Sequence, residues 1–189
     1  MKQIGLFFGS FNPVHIGHMI IAQAIQQEAQ LDEVWLVVSP QNPFKEKKNL
    51  LPERERFHMV QMAIGDTPGL RASDVEFYLP RPSYTVLTLA HLSEKHPEDA
   101  FHLIMGADNR ENLHRWRNGD YIEAHFPILV YPRGNDPVRE FPNTTWVNAP
   151  RMEISSTHIR QALKERRDVR YLLPPGVWEY VTHNNLYRK

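Results

Sequence analysis

The sequence predicts an α/β fold: a Rossmann-like, doubly wound and mostly parallel sheet with helices on both faces. Short apolar runs, the pattern of strands buried on both sides, alternate along the chain with longer stretches of helical spacing. Right-handed crossovers and short loops then favour a doubly wound sheet. Such a sheet binds ligands beyond the carboxyl ends of its strands, so the loops at those ends are where function is expected.

Each element follows from this alternation. The first strand is Ile4–Phe8; Gly5 interrupts the run and it lacks a small-residue cleavage site, so it reads as a strand and not as a signal peptide. A helix over Gly17–Ala29 leads to the apolar strand Val34–Val38, and a helix over Pro52–Ile64 leads to strand segments Leu70–Ala72 and Val75–Phe77. Helix Tyr84–Lys95 precedes strand Phe101–Met105, helix Asn109–Trp116 precedes strand Ile128–Tyr131, and Thr145–Val147 is the last strand. Helices over Thr157–Arg166 and near Pro175–Thr182 follow. Pro40–Asn49 and Pro132–Asn143 are rich in proline, asparagine and charge, which marks them as surface loops and candidate lids.

A chain of 189 residues with 41% hydrophobic content fits one compact domain over 1–189, with a C-terminal helical portion from about residue 154. Its 22 basic and 22 acidic residues cancel, so no overall field draws it to nucleic acid or to an anionic membrane. Cysteine is absent, which excludes disulfides and thiolate metal sites and suits a reducing compartment. No run approaches the roughly 18 apolar residues of a membrane-spanning helix, so the cytoplasm is the expected location. The composition allows a homo-oligomer without requiring one.

The segment Gly9-Ser10-Phe11-Asn12-Pro13-Val14-His15-Ile16-Gly17-His18 joins the first strand to the first helix. Backbone N–H groups and the positive end of the helix dipole suit a phosphate there. His15 and His18 are three residues apart, so one helical turn brings both rings to the same side. Imidazoles donate to phosphate oxygens and, when protonated, offset charge on a leaving pyrophosphate, which is electrostatic catalysis and not nucleophilic attack. Gly17 would let a ligand approach the backbone. A zinc site would need a nearby carboxylate or cysteine, and none completes it.

Other segments carry chemistry at the same end of the predicted sheet. In Ile154-Ser155-Ser156-Thr157-His158-Ile159-Arg160, hydroxyls lead into a helix and Arg160 lies one turn inside it: a second phosphate-binding helix start, or an ordinary N-cap. Gly106-Ala107-Asp108-Asn109 puts an acid at the carboxyl end of a strand, where Asp108 either meets a ligand or caps a helix. Pro80-Arg81-Pro82-Ser83-Tyr84-Thr85 is a rigid loop ending in hydroxyl residues before a helix. Asn42 and Lys45, in the loop after the second strand, offer an amide and an ammonium to a phosphate, and Arg133 ends a later strand.

His15-Ile16-Gly17-His18 resembles the HIGH element of the nucleotidyltransferase superfamily, which includes class I aminoacyl-tRNA synthetases. The longer run from Gly9 to His18 resembles bacterial nicotinate-nucleotide adenylyltransferases, and nearly the whole chain follows that family's order and spacing. The resemblance implies transfer of AMP from ATP to nicotinate mononucleotide, giving deamido-NAD and pyrophosphate, with Mg²⁺ arriving on ATP. It implies that Gly9, Ser10, Phe11, His15, His18, Gly106, Asp108, Ser155, Ser156, Thr157 and Arg160 bind ATP, the last three on its β- and γ-phosphates. It assigns Asn42, Lys45, Tyr84, Thr85, Trp116 and Arg133 to the pyridine mononucleotide, with Trp116 stacked on the ring, and makes His15, His18, Lys45 and Arg160 the catalytic set. Many relatives carry an aromatic or hydrophobic residue after this tryptophan, whereas the present chain has Arg117-Asn118. A phosphopantetheine adenylyltransferase would share the histidine pair and the Ser-Ser-Thr helix start, but Pro82-Ser83-Tyr84-Thr85 and Trp116 argue against it. A synthetase fragment would need room for a tRNA-binding module, and a non-catalytic nucleotide sensor would have no use for both histidines and Arg160.

Overall fold

Six strands form one parallel sheet in a computed structural model that describes residues 1–41, 50–132 and 139–188. They are β1 (Gln3–Gly9), β2 (Glu33–Val38), β3 (Leu70–Ser73), β4 (Ala100–Gly106), β5 (Ile128–Tyr131) and β6 (Thr144–Trp146). Seven α-helices connect and follow them: α1 (Ile16–Glu28), α2 (Glu53–Ile64), α3 (Thr85–Lys95), α4 (Ala107–Glu111), α5 (Gly119–His125), α6 (Ser156–Lys164) and α7 (Pro175–His183). The strand order is β3-β2-β1-β4-β5-β6, which is the Rossmann-like α/β sheet that the sequence predicts. The winding direction reverses between β1 and β4, and such a switch opens a crevice at the carboxyl ends of the two strands.

Strand residues alternate between two apolar layers, which is why the runs are apolar throughout. Ile4 and Leu6 of β1 pack with Trp35, Val37, Leu103 and Val130 under Val86, Leu89 and Leu92 of α3 and Ile122 of α5. On the other face Phe7 packs with Leu36, Val38, Ile104 and Leu129. That face is covered by Ile21 and Ile25 of α1, Met59 and Val60 of α2, Ile159 and Leu163 of α6, and Val177 and Val181 of α7. Each such side chain contributes about 1.5–3 kcal/mol through burial, so this double layer holds the strand ends in place. Among the described residues, no helix is long and apolar enough to cross a membrane.

Two sequence expectations change. Val75–Phe77 is not strand but part of a 3-10 turn, Val75–Tyr78, in which the Phe77 N–H donates to the Asp74 carbonyl at 2.8 Å. The helix expected over Asn109–Trp116 ends early: α4 stops at Glu111, a 3-10 turn spans Leu113–Arg115, and α5 starts afresh after Asn118, whose φ is 53°. A Cβ on Gly119 would lie 2.1 Å from the Leu113 carbonyl oxygen, so only glycine permits this tight restart.

Candidate active site

A cleft of about 830 Å³ opens at the carboxyl ends of β1 and β4, the volume of a site for a sizeable small molecule. Its lining runs from Phe7–Asn12, His15, Gly17 and His18 through Met105, Gly106, Asp108 and Trp116 to Met152–Thr157 and Arg160. The structure thus gathers Gly9, Ser10, Phe11, His15, His18, Gly106, Asp108, Trp116, Ser155, Ser156, Thr157 and Arg160 around one space, although they span nearly the whole chain.

His15 is the N-cap of α1 and His18 is the third residue inside it. Their rings stack with centroids 3.7 Å apart and planes at 26°, so the spacing of three does bring both to one side. The His15 backbone N–H donates to His18 Nδ1 at 3.2 Å, one half of a capping box. A neutral His18 ring therefore carries its proton on Nε2, where it can donate to an oxygen in the cleft. Phe11 turns its ring inward, edge-on to Phe7 and to His18, and so offers a ligand its backbone more than its side chain. Its ring also explains Gly9, where a Cβ would sit 2.8 Å from Phe11 Cζ. Gly17 lines the cleft, and a Cβ there would lie 3.1 Å from His15 Nδ1 and 3.6 Å from Ile154 Cβ, so the lack of a side chain leaves room for the His15 ring.

The amino end of α6 faces this loop and is tied to it. Ser155 Oγ accepts from the His158 N–H at 3.1 Å, so Ser155 is a helix cap as well as a cleft residue. Ser156 Oγ donates to the Pro13 carbonyl at 2.9 Å, and Arg160 Nη1 donates to the Asn12 carbonyl at 2.8 Å. Arg160 Nη2 reaches Thr157 Oγ1 at 3.3 Å. Two N-terminal helix ends and one guanidinium thus converge, as binding of a polyphosphate requires.

On the opposite side Trp116 is half-buried on the cleft wall rather than lost in the core. Asp108 is not the cap of α4, because Gly106 occupies that position; its carboxyl is exposed toward the cleft. Tyr84 and Thr85 do not line the cleft. Tyr84 caps α3, packs in the apolar cluster with Phe8 and Trp116, and carries the Arg117 guanidinium 4.8 Å above its ring. The departure at position 117 therefore braces the Tyr84 ring at the start of α3. Asn42, Lys45 and Arg133 lie outside the described residues.

Three supporting residues escaped sequence reasoning. Arg56 of α2 is fully buried and donates to the Leu51 carbonyl at 2.8 Å, the Ser39 carbonyl at 2.9 Å, the Pro40 carbonyl at 3.2 Å and the Ser10 carbonyl. Burial pushes its guanidinium down to about 10, still cationic at neutral pH. Asn12 Oδ1 accepts from Tyr187 Oη at 2.8 Å and from the Leu51 N–H at 3.3 Å. Burial raises the Tyr187 phenol well above its usual range, which keeps it a donor. Glu76 is the third, buried in the 3-10 turn before α3. An arginine inside a helical stretch reads as a surface charge in sequence; its only signal was its place on the apolar side of α2 with Met59 and Val60.

The resemblance drawn from the sequence implies magnesium as the metal. The cleft lining offers two carboxylates, Asp108 and Glu153, beside hydroxyls, which fits an ion held mainly by substrate phosphates and water. Among the described residues, His96, Glu98 and Asp99 form the one cluster of three metal-capable side chains, and it precedes the amino end of β4, away from the cleft.

The chain matches the Cytidylyltransferase-like family model over residues 6–162. A relative from Flavobacterium johnsoniae, 48% identical over 99% of this chain and 100% of its own length, bears the name "Probable nicotinate-nucleotide adenylyltransferase". One from Bacteroides thetaiotaomicron, with the same name, is 51% identical over 94% of this chain and 89% of its own. The fold is also that of Plasmodium falciparum nicotinic acid mononucleotide adenylyltransferase complexed with NaAD, with a TM-score of 0.84 at 23% identity over 99% of this chain and 98% of that one. With a cleft at the switch point, a stacked histidine pair facing the start of α6, and full-length relatives of one name, the chain belongs to the nicotinate-nucleotide adenylyltransferase family.

Proposed function

We propose that the protein transfers AMP from ATP to nicotinate mononucleotide, releasing pyrophosphate and forming deamido-NAD, a step of NAD biosynthesis carried out in the cytoplasm. The observation that carries this is the convergence of the His15–His18 pair with the start of α6 on one wall of a cleft whose other wall holds Trp116. ATP lies with its phosphates between those two helix starts and its adenosine toward Gly106 and Asp108. The pyridine ring lies toward Trp116, where an indole face suits an electron-poor ring.

A phosphate oxygen of the mononucleotide attacks the α-phosphorus of ATP, and the bond to pyrophosphate breaks. That phosphate has a second pKa of about 6, so it is largely ionised at neutral pH and needs no strong base. The chain's task is to align the groups and to meet charge as it develops on the leaving oxygens. His18 Nε2–H, His15 and Arg160 do this from the described residues, and Lys45 adds a cation. Magnesium bound with ATP would screen the phosphate charge, with Asp108 and Glu153 as the nearest carboxylates of the lining.

The test is pyrophosphate release from purified protein and Mg-ATP with nicotinate mononucleotide, nicotinamide mononucleotide or phosphopantetheine as acceptor. Release with nicotinate mononucleotide is expected, and none with either pyridine nucleotide would sink the proposal. In the same assay His18→Ala lowers turnover by about 10²–10³ while ATP binding changes far less, as loss of a donor that acts in the transition state requires. An equal loss of both would make the imidazole a simple binding group.

A further inference from the structure

β1 and β2 pair in register as far as Gly9 and Val38, and the Ser39 N–H still donates to the Gly9 carbonyl at 2.9 Å. Just beyond that bond a single nitrogen joins the two chains. Arg56 Nη1 donates both to the Ser10 carbonyl and, at 2.9 Å, to the Ser39 carbonyl. The same side chain donates from Nη2 to the Pro40 carbonyl at 3.2 Å and from Nε to the Leu51 carbonyl at 2.8 Å. Leu51 is held a second time, since its N–H donates to Asn12 Oδ1 at 3.3 Å. The segments gathered in this way all reach the cleft: Ser10 lines it, as do Gln41 next to Pro40 and Leu50 next to Leu51.

An apolar side chain would fill the place of a fully buried cation without the loss of hydration, so filling space does not explain an arginine here. What the guanidinium supplies is a planar fork whose donors point in fixed directions, and which therefore sets several carbonyls at fixed separations. We propose that Arg56 is a positioning residue for the transfer step, holding the loop after β1, which leads to the histidine pair, in register with the chain after β2 and before α2. This rests on the reaction and the substrate assignment proposed above. With a relative exposure of 0%, Arg56 is shut away from both substrates, so the affinity for each one alone does not depend on it. Their alignment with each other does, and a misplacement of about 1 Å costs about 10²-fold in rate. Met59 and Val60 seat α2 in the apolar layer independently of the guanidinium, so the helix keeps its place without it.

The test compares the wild type, Arg56→Lys and Arg56→Met at a temperature where circular dichroism shows each to be folded. Pyrophosphate release is measured at saturating Mg-ATP and nicotinate mononucleotide, and the dissociation constant of each substrate alone by calorimetry. Arg56→Lys keeps the charge and loses the fork; kcat is expected to fall about 10- to 100-fold, with both dissociation constants within about threefold of wild type. Arg56→Met is expected to do no better than lysine. A kcat within about twofold of wild type in folded Arg56→Lys, or affinities that weaken in step with kcat, would overturn the proposal while leaving the reaction intact. If neither variant folds, the wild type carries the test: the Arg56 side-chain N–H groups, followed by nitrogen-15 NMR, are expected to stay protected from exchange when either substrate binds alone, and loss of that protection overturns the proposal. A wild type inactive with both pyridine nucleotides overturns the reaction, and this inference with it.

Discussion

At the scale of single residues, the site depends on what the backbone does to its side chains. His18 accepts the His15 N–H on Nδ1 at the start of its own helix, and its ring lies on the cleft lining. Glu76 shows a different cost. Burial raises its carboxyl above the usual 4.5, outweighing the hydroxyls of Thr88, Ser39 and Ser83 that favour the charged form. A carboxyl that binds its proton more tightly when folded adds stability below pH 4.5 and loses that contribution as pH rises through the raised value. Glu76→Gln does not titrate. Its melting temperature should therefore improve relative to wild type between pH 4.5 and pH 8. Thermal unfolding of both proteins across that range checks this, and parallel curves would refute it.

At the scale of elements, the sheet was readable because its strands are buried on both faces and so apolar at every position. The strands β1, β2, β4 and β5 were recognisable from such runs, and the amphipathic helices between them from their spacing. What escaped were the short segments whose shape is set by tertiary contact. Val75-Glu76-Phe77 alternates like a strand, yet Glu76 turns inward to Thr88 and the backbone closes into a 3-10 turn. The seven residues of α5 carry too little pattern to declare a helix, and the need for Gly119 beneath the Leu113 carbonyl is visible only in three dimensions. The histidine pair, Trp116 and the start of α6 were legible because their chemistry stands in local motifs. Arg56 was not, because its four carbonyl partners come from Ser39 and Pro40 just after β2, from Leu51 just before α2, and from Ser10 after β1. Arg56→Met strips those carbonyls of their donor and should cost about 3–5 kcal/mol. Urea denaturation measures the loss, and a change below about 1 kcal/mol would show that water replaces the guanidinium readily.

At the scale of the molecule, the two ends of the chain meet beneath the cleft. Asn12, in the loop after β1, receives the Tyr187 hydroxyl through its side chain and Arg160 through its carbonyl. Sequence could not pair Asn12 with Tyr187, since neither belongs to a motif that names the other and their separation is 175 residues. Tyr187→Phe removes one partly buried hydrogen bond and should lower stability by about 1 kcal/mol. Because the same asparagine stands in the loop that leads to His15 and His18, kcat should fall as well, measured at saturating ATP; unchanged kcat would make Tyr187 a purely structural tie.

That tie also sets an order of events during synthesis. A chain emerges from the ribosome N-terminus first, and folding can accompany its synthesis. The sheet around β1 can assemble while the chain is still growing, but the loop after it cannot gain this hydroxyl partner until residue 187 has left the ribosome. A chain released short of that point would keep most of its core and lack this support of the loop after β1, so proteolysis or early termination there would yield a folded protein whose cleft has lost one of its ties.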